Sequence, residues 1–261
     1  MTLLLSRALA LLLAAALVLT WALLPIVLHR ASLAPPPPAT EPVAPPTDAV
    51  ALRKSQFIEQ MLPAIQANNA ALHHQRSQLE ALAARHARGK RLRRHELTQL
   101  QQWGEAYRLE LPDSGPNSEW FAALLQRLDI IPASLALAQS ALESGWGQSR
   151  FALEGNNFFG QWCFSPGCGM VPAQRPAGAH YEVERFPSRD EAVRRYMLNL
   201  NSHPGYAELR AQRAALRAAG EPLSGRQLAE GLSRYAEIGA DYVTQIRLVI
   251  RANHFEDYPD F

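Results

Sequence analysis

Hydrophobic residues recur at helical spacing along a stretch that ends in two glycines. Its apolar positions, at i, i+4, i+7 and i+11, are Ile131, Leu135, Ala138 and Leu142. Pro132 suits the first turn of such a helix, where the missing N–H of proline costs nothing. Gly145 and Gly147 end the helix. The pattern therefore places Glu143 in the last helical turn, beside an aromatic residue and two glycines.

Apolar positions of the same period predict further helices before and after this one. Capping residues precede three of them, namely Ser118, Ser188 and Ser224. The helix after Ser224 is predicted to carry, at i, i+4 and i+7, Leu228, Leu232 and Tyr235. A last helix is predicted to present on one face Tyr242, Ile246, Val249 and Ile250.

The stretch at 180–186 alternates in the manner of a β-strand. Tyr181 and Val183 share one face, while Glu182 and Glu184 share the other. The two glutamates face either water or a cleft opposite the helix-end glutamate. Helices on both sides of one short, turn-rich β region predict an α+β fold with segregated elements, mostly helical with a small β lobe.

The N-terminal stretch is apolar without a period. From Ala8 to Leu28 no residue is charged, and this length matches a membrane-spanning helix of about 20 apolar residues. It exceeds the apolar core of a cleaved signal peptide, which is roughly 7–15 residues. We therefore expect an uncleaved signal anchor at 1–30, the alternative being cleavage after Ala34. Arg7 and Arg30 flank the span evenly and leave its orientation open.

The residues after this stretch form a proline-rich segment and then a segment with a helical period. Residues 31–50 are rich in proline and are predicted to form an extended, stiff linker. Residues 51–112 follow an interrupted helical period and are predicted to form a helical extension. Its basic run from Arg85 to Arg94 is either a solvated face or a contact for anionic lipid headgroups or an anionic wall polymer. A turn-rich break precedes a main domain at 113–261.

Glu143 lies where a carboxyl group tends to stay protonated. The C-terminal end of a helix carries partial negative charge and disfavours a carboxylate. Leu142 and Trp146 make the surroundings apolar, which also favours the neutral acid. A carboxyl that is protonated near neutral pH is what a general acid for glycosidic cleavage needs. The alternative is an exposed glutamate at a helix end that has no role.

Composition limits the other kinds of chemistry. The formal net charge is +2 over 261 residues, so we predict no nucleic-acid partner. The histidines show no pair at metal-ligand spacing with a supporting acid, and we predict neither a metal site nor a cofactor. Cys163 and Cys168 flank a Pro-Gly turn. In an oxidising compartment they could close a small disulfide loop, whereas in the cytosol they would be thiols.

Two blocks of the sequence resemble the glucosaminidase family of peptidoglycan hydrolases, glycoside hydrolase family 73. They are Ala-Leu-Glu-Ser-Gly-Trp-Gly at 141–147 and Asn-Asn-Phe-Phe-Gly at 156–160. The resemblance covers roughly residues 118–254 and includes Ser-Arg-Tyr-Ala at 233–236. The stretch at 161–169, with Ile-Ile-Pro at 130–132, is more narrowly similar to the Bax-type proteins of Gram-negative bacteria.

This resemblance implies a lysozyme-like fold and cleavage of the β-1,4 bond after N-acetylglucosamine in peptidoglycan. It makes Glu143 the general acid. It also implies that Asn157 and Phe158 shape the floor of the cleft. Tyr235 matches the family's Tyr-Ala block and either lines a sugar subsite or packs in the core. Trp146 either stacks on a sugar face or is buried by packing.

The second catalytic group is open. Many family members carry Thr-x-Glu-Tyr in the β lobe, but residues 171–178 contain no acid here. Glu182 is preferred because it follows a tyrosine, and Glu184 is the alternative. A second carboxylate would lie roughly 6.5–9.5 Å from the acid in an inverting enzyme. If the N-acetyl group of the substrate assists instead, no protein base is essential.

Two other functions compete with hydrolysis. A lytic transglycosylase also has a Glu-Ser pair at a helix end, but the Gly-Leu-Met-Gln block that usually follows is absent here. A wall-binding or scaffold protein with a degenerate site is suggested by the missing Thr-x-Glu-Tyr. A peptidoglycan substrate would place the main domain in the periplasm, attached to the inner membrane by the anchor. That compartment also suits the Cys163–Cys168 bridge.

Overall fold

Helices make up most of the structure, a computed structural model that describes residues 47–176, 178–233, 235 and 239–261. The α-helices are α1 (Thr47–Ala87), α2 (Arg94–Ala106), α3 (Ser118–Arg127), α4 (Ala133–Ser144), α5 (Arg150–Gly155), α6 (Arg189–Ser202), α7 (Ala207–Ala219), α8 (Gly225–Leu228) and α9 (Ala240–Ala252). Turns of 3₁₀ helix lie at Pro204–Tyr206, Ala229–Leu232 and Phe255–Asp257. The prediction of a mostly helical α+β fold is confirmed.

One small antiparallel sheet lies between α5 and α6. Its strands are β1 (Trp162–Cys163), β2 (Gly169–Met170) and β3 (Glu182–Glu184), and β3 is the middle strand. Cys163 pairs with Glu182, and Gly169 pairs with Glu184. A disulfide joins Cys163 to Cys168. The bridge therefore closes the loop between β1 and β2, the two strands that flank β3.

The signal anchor predicted at 1–30 and most of the linker predicted at 31–50 lie outside the described residues. Of the helices within the described ranges, none combines the length and the apolar character needed to cross a membrane. Helix α1 begins at Thr47, four residues before the predicted start of the helical extension. Asp48 in its first turn suits the partial positive charge of a helix N-terminus.

The prediction of a helix after Ser224 is correct for the first turn and wrong beyond it. Helix α8 ends at Leu228, and a 3₁₀ turn follows it. Gly231, in that turn, lies against α7: a Cβ atom at this position would come within 2.4 Å of the Cα of Leu209. The backbone tightens where it passes α7, so Tyr235 does not continue the face of a helix.

Helix α1 takes part in both hydrophobic cores of the unit formed by Thr47–Phe261. Its N-terminal half contributes three buried side chains to a core with α4, α6 and α9: Phe57, Met61 and Ile65. Farther along α1, Leu79 is buried in a second core with residues of α2 and α3, among them Trp103 and Leu124. The helical extension and the main domain therefore bury apolar surface against each other.

Helix α4 is buried over nearly its whole length, from Ala133 to Ala141. A buried helix needs partners for the polar groups at its ends. The Ala133 N–H donates to the carboxylate of Asp260 at 2.7 Å. The side chain of Asn69, on α1, donates to the Ile131 carbonyl at 2.8 Å and accepts from the Ile131 N–H at 3.1 Å. Contacts from distant parts of the chain thus fix where α4 begins.

Three arginines converge on Asp129, just before α4. Arg217 donates to both carboxylate oxygens at 2.8 and 3.1 Å, while Arg76 of α1 lies at 3.3 Å and Arg213 of α7 at 3.8 Å. Burial alone would raise the pKa of Asp129. The hydrogen bonds from Arg217 and the charges of Arg213 and Arg76 nevertheless hold this pKa below its usual value. Arg213 also donates to the Ile130 carbonyl at 2.8 Å, so the cluster connects α1 and α7 to the start of α4.

We expect Asp129→Asn to lower the free energy of unfolding by about 3–5 kcal/mol near neutral pH, because Arg213 would be left buried without its counter-charge. The lowered pKa sets the pH dependence. The ionised carboxylate stabilises the fold above the pKa of a carboxyl in the unfolded chain, and this stabilisation is lost as pH falls through the folded-state value. Wild type should therefore lose more stability on acidification than the variant, as measured by urea unfolding at several pH values. Asp241→Asn, at an exposed position of α9, is the matched control, and equal losses from the two substitutions would contradict the prediction.

Candidate active site

Helix α4 ends at the glycine that the sequence predicts. Gly145 adopts the left-handed conformation with φ of 58°, and the Trp146 N–H donates back to the Ala141 carbonyl at 2.8 Å. The hydroxyl of Ser144 donates to the Ser140 carbonyl and accepts from the N–H of the second glycine. These hydrogen bonds satisfy polar backbone groups at the C-terminal end of α4. Glu143, the residue before Ser144, is thereby fixed in the last turn of the helix.

A chain of hydrogen bonds holds one carboxyl oxygen of Glu143. The hydroxyl of Tyr196 donates to Oε1 of Gln139 at 2.7 Å. Nε2 of Gln139 donates to the hydroxyl of Tyr242 at 3.0 Å, and that hydroxyl donates to Oε1 of Glu143 at 2.8 Å. Because each bond fixes the direction of the next, Oε1 is held as an acceptor.

The other oxygen of this carboxyl group, Oε2, lies beside Gly160. A Cβ atom at Gly160 would come within 3.3 Å of Oε2, and the φ of 64° there favours glycine. Since Oε1 already accepts the hydroxyl proton of Tyr242, Oε2 is the oxygen that can carry the acidic proton of Glu143.

Burial raises the pKa of Glu143, and the hydrogen bond from Tyr242 opposes this increase only in part. The phenol of Tyr242 stacks on that of Tyr235, with ring centroids 5.4 Å apart and planes 9° apart. Tyr196 stacks on Phe159 at 3.9 Å. These aromatic rings surround the carboxyl with low-polarity material, which favours its protonated form.

A groove of about 470 Å³ is lined by residues of the β lobe, of α6 and of the end of α2, and Glu143 is not among the described residues that line it. Gln161, which directly follows Gly160, forms part of its wall. Asn199, on α6, also lines the groove. The connection between Glu143 and the groove is therefore made by two successive residues: Oε2 lies beside Gly160, and Gln161 lines the groove.

Exposed aromatic and charged side chains line the groove. Trp162 and Phe164, in the β lobe, are 52% and 74% exposed, and the ring of Trp162 stacks on Tyr181 at 4.2 Å. Arg195 and Glu184 form an ion pair at 3.4 Å in the wall. Large aromatic side chains held exposed beside polar groups are typical of a ligand-binding groove.

The helical extension contributes Arg108 to the same groove. Arg108 follows the end of α2 in the left-handed conformation, with φ of 56°, at a position where glycine is the usual residue. This conformation ends α2, and the Leu109 N–H donates back to the Gly104 carbonyl at 2.8 Å.

Comparison with known proteins now assigns the family. Residues 118–255 match the family model of the glucosaminidases, described as mannosyl-glycoprotein endo-beta-N-acetylglucosaminidase. This match spans more than half of the chain. The chain belongs to the glucosaminidase family. The resemblance on which the sequence analysis relied is thereby confirmed, and the glucosaminidase domain includes α3 through α9.

A relative from Escherichia coli (strain K12), Protein bax, is 32% identical over 190 residues. The aligned residues cover 73% of this chain and 66% of that protein, so the chain spans slightly less than two thirds of its length. The alignment is longer than the match to the glucosaminidase domain. No solved structure matches the chain.

Glu182, the sequence-preferred second carboxylate, is buried in the glucosaminidase β lobe. Its two oxygens accept the N–H groups of Gly167 at 3.0 Å and Gly169 at 2.8 Å. These bonds hold the pKa of Glu182 below its usual value. Glu182 therefore fastens the disulfide-closed loop to β3, while the groove wall contains Glu184. No catalytic role of either glutamate is tested by this geometry, and both assignments stay predictions.

Asn157 and Tyr235, two predicted substrate ligands, bind the loop that carries Gly160. Asn157 is buried and donates to the carbonyls of Gln161 and Glu184 at 2.8 and 2.9 Å. The hydroxyl of Tyr235 donates to the Phe159 carbonyl at 2.8 Å. Through these hydrogen bonds, Asn157 and Tyr235 hold the loop whose Gly160 lies beside Oε2 of Glu143.

Trp146 and Phe158, the other two predicted ligands, line a different cavity together with Phe57 of α1. Trp146 meets Phe57 edge-on, with ring centroids 5.6 Å apart. Their roles as sugar ligands stay predictions, and the aromatic residues in the groove of 470 Å³ are Trp162 and Phe164.

Among the described residues, one trio has the donor atoms of a metal site. The ligand atoms of Cys163, Cys168 and Glu182 lie within 4.8 Å of one another. The disulfide removes the thiolates that a metal would bind, and backbone N–H groups occupy the carboxylate. This trio does not fit a metal ion.

The sequence pattern does not predict the chain of hydrogen bonds behind Glu143, because it predicts Tyr242 as an apolar core residue of the last helix. The available signal was Gln139, a polar residue on an apolar helix, four positions before Glu143 and hence on the same face.

We expect Glu143→Gln to stabilise the fold at alkaline pH and to have little effect well below the ordinary pKa of a glutamate. Because the folded-state pKa is raised, the free energy of unfolding of wild type falls as pH rises from the ordinary value through the raised one. The variant has no such proton, so it gains about 1.4 kcal/mol for each unit of elevation. Urea unfolding over this pH range measures the difference. Glu119→Gln, at an exposed position of α3, is the control; identical pH profiles for wild type and Glu143→Gln would contradict the raised pKa.

Proposed function

We propose that this glucosaminidase is a peptidoglycan hydrolase that cleaves the β-1,4 bond after N-acetylglucosamine, with Glu143 as its general acid. One observation carries the proposal: Glu143 is a half-buried carboxyl with a raised pKa, held at Oε1 by Tyr242 and placed with Oε2 beside Gly160, the residue before the groove residue Gln161. Its proton on Oε2 would pass to the glycosidic oxygen as the bond to the anomeric carbon breaks. Water then completes the hydrolysis at that carbon.

The groove that begins at Gln161 supports a glycan as the substrate. Trp162 and Phe164 offer aromatic faces against which sugar rings can pack, and Gln161 and Asn199 offer amides for hydroxyl and acetamido groups. Arg108 and Arg195 add positive charge at the wall. That charge suits a glycan that carries carboxylates, as peptidoglycan does on its peptide stems.

Glu184 is the second carboxylate that we favour, because it lies in the groove wall whereas the oxygens of Glu182 are bound to backbone N–H groups. Arg195 is its ion-pair partner at 3.4 Å, and the role of Glu184 would be to activate water. The competing mechanism uses the N-acetyl group of the substrate and no protein base.

We also propose that the catalytic unit is attached to the inner membrane and faces the periplasm. The uncharged stretch from Ala8 to Leu28 has the length of a membrane anchor. The Cys163–Cys168 disulfide agrees with an oxidising compartment, and peptidoglycan lies in that compartment.

The first test is clearing of a peptidoglycan suspension by the detergent-solubilised full chain. We expect Glu143→Gln to reduce the rate by at least about 100-fold, because general acid catalysis typically contributes 10²–10⁴-fold. Glu119→Gln should clear at the wild-type rate. Mass spectrometry of the fragments should find N-acetylglucosamine at the reducing ends. Anhydro ends would show a lytic transglycosylase instead, and tight binding by wild type without any product would show a wall-binding protein.

A second test separates the two glutamates of β3. We expect Glu184→Gln to reduce the turnover number by about 100-fold. Glu182→Gln should mainly lower the melting temperature, because Gln provides only one oxygen for two backbone N–H groups. Clearing rates and thermal unfolding, measured on both variants, distinguish these effects. Full activity of Glu184→Gln would remove it from the mechanism in favour of the substrate's N-acetyl group.

A further inference from the structure

A second pocket, of about 250 Å³, lies between α1 and the loop that follows α4. We call it the arginine pocket. The side chains that matter for its chemistry are Arg53, Phe57, Gln60, Trp146, Phe158 and Arg189. No acidic residue is among the described residues that line it, so the arginine pocket carries net positive charge.

The aromatic side of the arginine pocket is built from both the extension and the glucosaminidase domain. Phe57 contacts Trp146 at 5.6 Å and Phe158 at 6.5 Å between ring centroids. Trp146 has φ of 58°, a conformation that is a genuine outlier for so bulky a residue. Lys54 lies 4.7 Å above the Trp146 ring. Backbone strain of this kind persists only where the surrounding structure holds the residue in place, and strained residues cluster at ligand-binding and active sites.

Arg189 provides a charged group on the polar side of the arginine pocket. Its Nη2 donates to Oε1 of Gln60 at 3.1 Å, and its guanidinium carbon lies 5.4 Å from the centre of the Phe158 ring. Its Nε is buried and has no hydrogen-bond partner in the described part of the chain. Because Nε has almost no exposed surface, a ligand in the arginine pocket would be bound by the Nη groups of Arg189.

We propose that the arginine pocket binds the free carboxylate of a peptide stem of peptidoglycan, an inference that rests on the proposed function. The guanidinium groups of Arg53 and Arg189 line the arginine pocket, and a guanidinium can donate two parallel hydrogen bonds to a planar carboxylate. The aromatic wall suits the aliphatic part of a short peptide. The volume is below the roughly 300–1,000 Å³ of sites for drug-sized ligands, which suits one or two amino-acid residues better than a glycan strand.

The loop that follows Glu143 connects the arginine pocket to the proposed acid, so a peptide bound in the pocket would help to position the substrate. Trp146 is three residues after Glu143, so the loop that ends the catalytic helix also forms the wall of the pocket. A stem held there would anchor the wall polymer to the loop beside the acid. The glucosaminidase would then prefer strands that carry peptide stems, and α1 would supply that preference through Arg53 and Phe57.

The test is direct binding to the full-length protein, without turnover. Three probes are titrated and followed by NMR at the indole N–H of Trp146: muramyl dipeptide, which has one free carboxylate; N,N′-diacetylchitobiose, which has none; and inorganic phosphate. We expect muramyl dipeptide to shift the Trp146 signal and to bind at least tenfold more tightly than the other two probes. Arg53→Gln should weaken its binding at least tenfold, because Arg53 has no structural partner among the described residues. Arg251→Gln, an exposed arginine of α9, is the matched control and should bind like wild type.

Arg53→Gln and Arg189→Gln together should abolish the shift, with thermal unfolding confirming that the double variant is folded. If that variant does not fold, the wild-type titration and Arg53→Gln still decide. Absence of a Trp146 shift with muramyl dipeptide, or equal affinity for phosphate, would overturn the inference. The readout needs no hydrolysis: a wild-type protein that binds the dipeptide but clears no peptidoglycan would contradict the proposed function and leave the arginine pocket standing.

Discussion

The structure depends on the need to satisfy the polar ends of a helix that is buried almost throughout. Helix α4 is surrounded by apolar side chains from Ala133 to Ala141, so water cannot serve the N–H and C=O groups at its ends. At its start, Asn69 and Asp260 supply partners to the backbone. At its end, Gly145 and Ser144 do so. The partners at the start come from opposite ends of the described chain, so folding of the whole unit is required before α4 can be placed.

The same helix separates two carboxyl groups with opposite properties. Asp129, before its start, is buried among three arginines and has a lowered pKa. Glu143, in its last turn, is buried among tyrosines and has a raised pKa. Asp129 is fully buried and Glu143 partly so, and the difference in their pKa shifts comes from their partners: cations favour the charged form, whereas phenols give only one neutral hydrogen bond. Asp129 thus stabilises the fold, whereas the raised pKa of Glu143, which the proposed general acid needs, comes at the expense of stability at alkaline pH.

The features that the sequence predicts correctly are those set by local rules. The end of α4 follows from glycines that adopt positive φ, and the place of Glu143 follows from the helical period. The features that it could not predict depend on neighbours far away in the chain. Glu182 alternates like an exposed strand residue, but two N–H groups of the loop closed by the disulfide bury its carboxylate. Tyr242 has the pattern of a core residue, and its hydroxyl is revealed as a partner of Glu143 only when α9 lies against α4.

The glucosaminidase match begins at residue 118, yet the candidate site requires α1. Asn69 of α1 pairs with the Ile131 peptide group, and Arg76 neutralises Asp129 in part. Without α1, that buried peptide group would lose both partners, at a cost of about 1–3 kcal/mol for each unsatisfied group, and the apolar surface of α4 would face water. Phe57 of α1 also covers the loop that ends α4. Since contacts from α1 reach both ends of the helix that carries Glu143, the unit that positions the acid is Thr47–Phe261 rather than the matched domain alone.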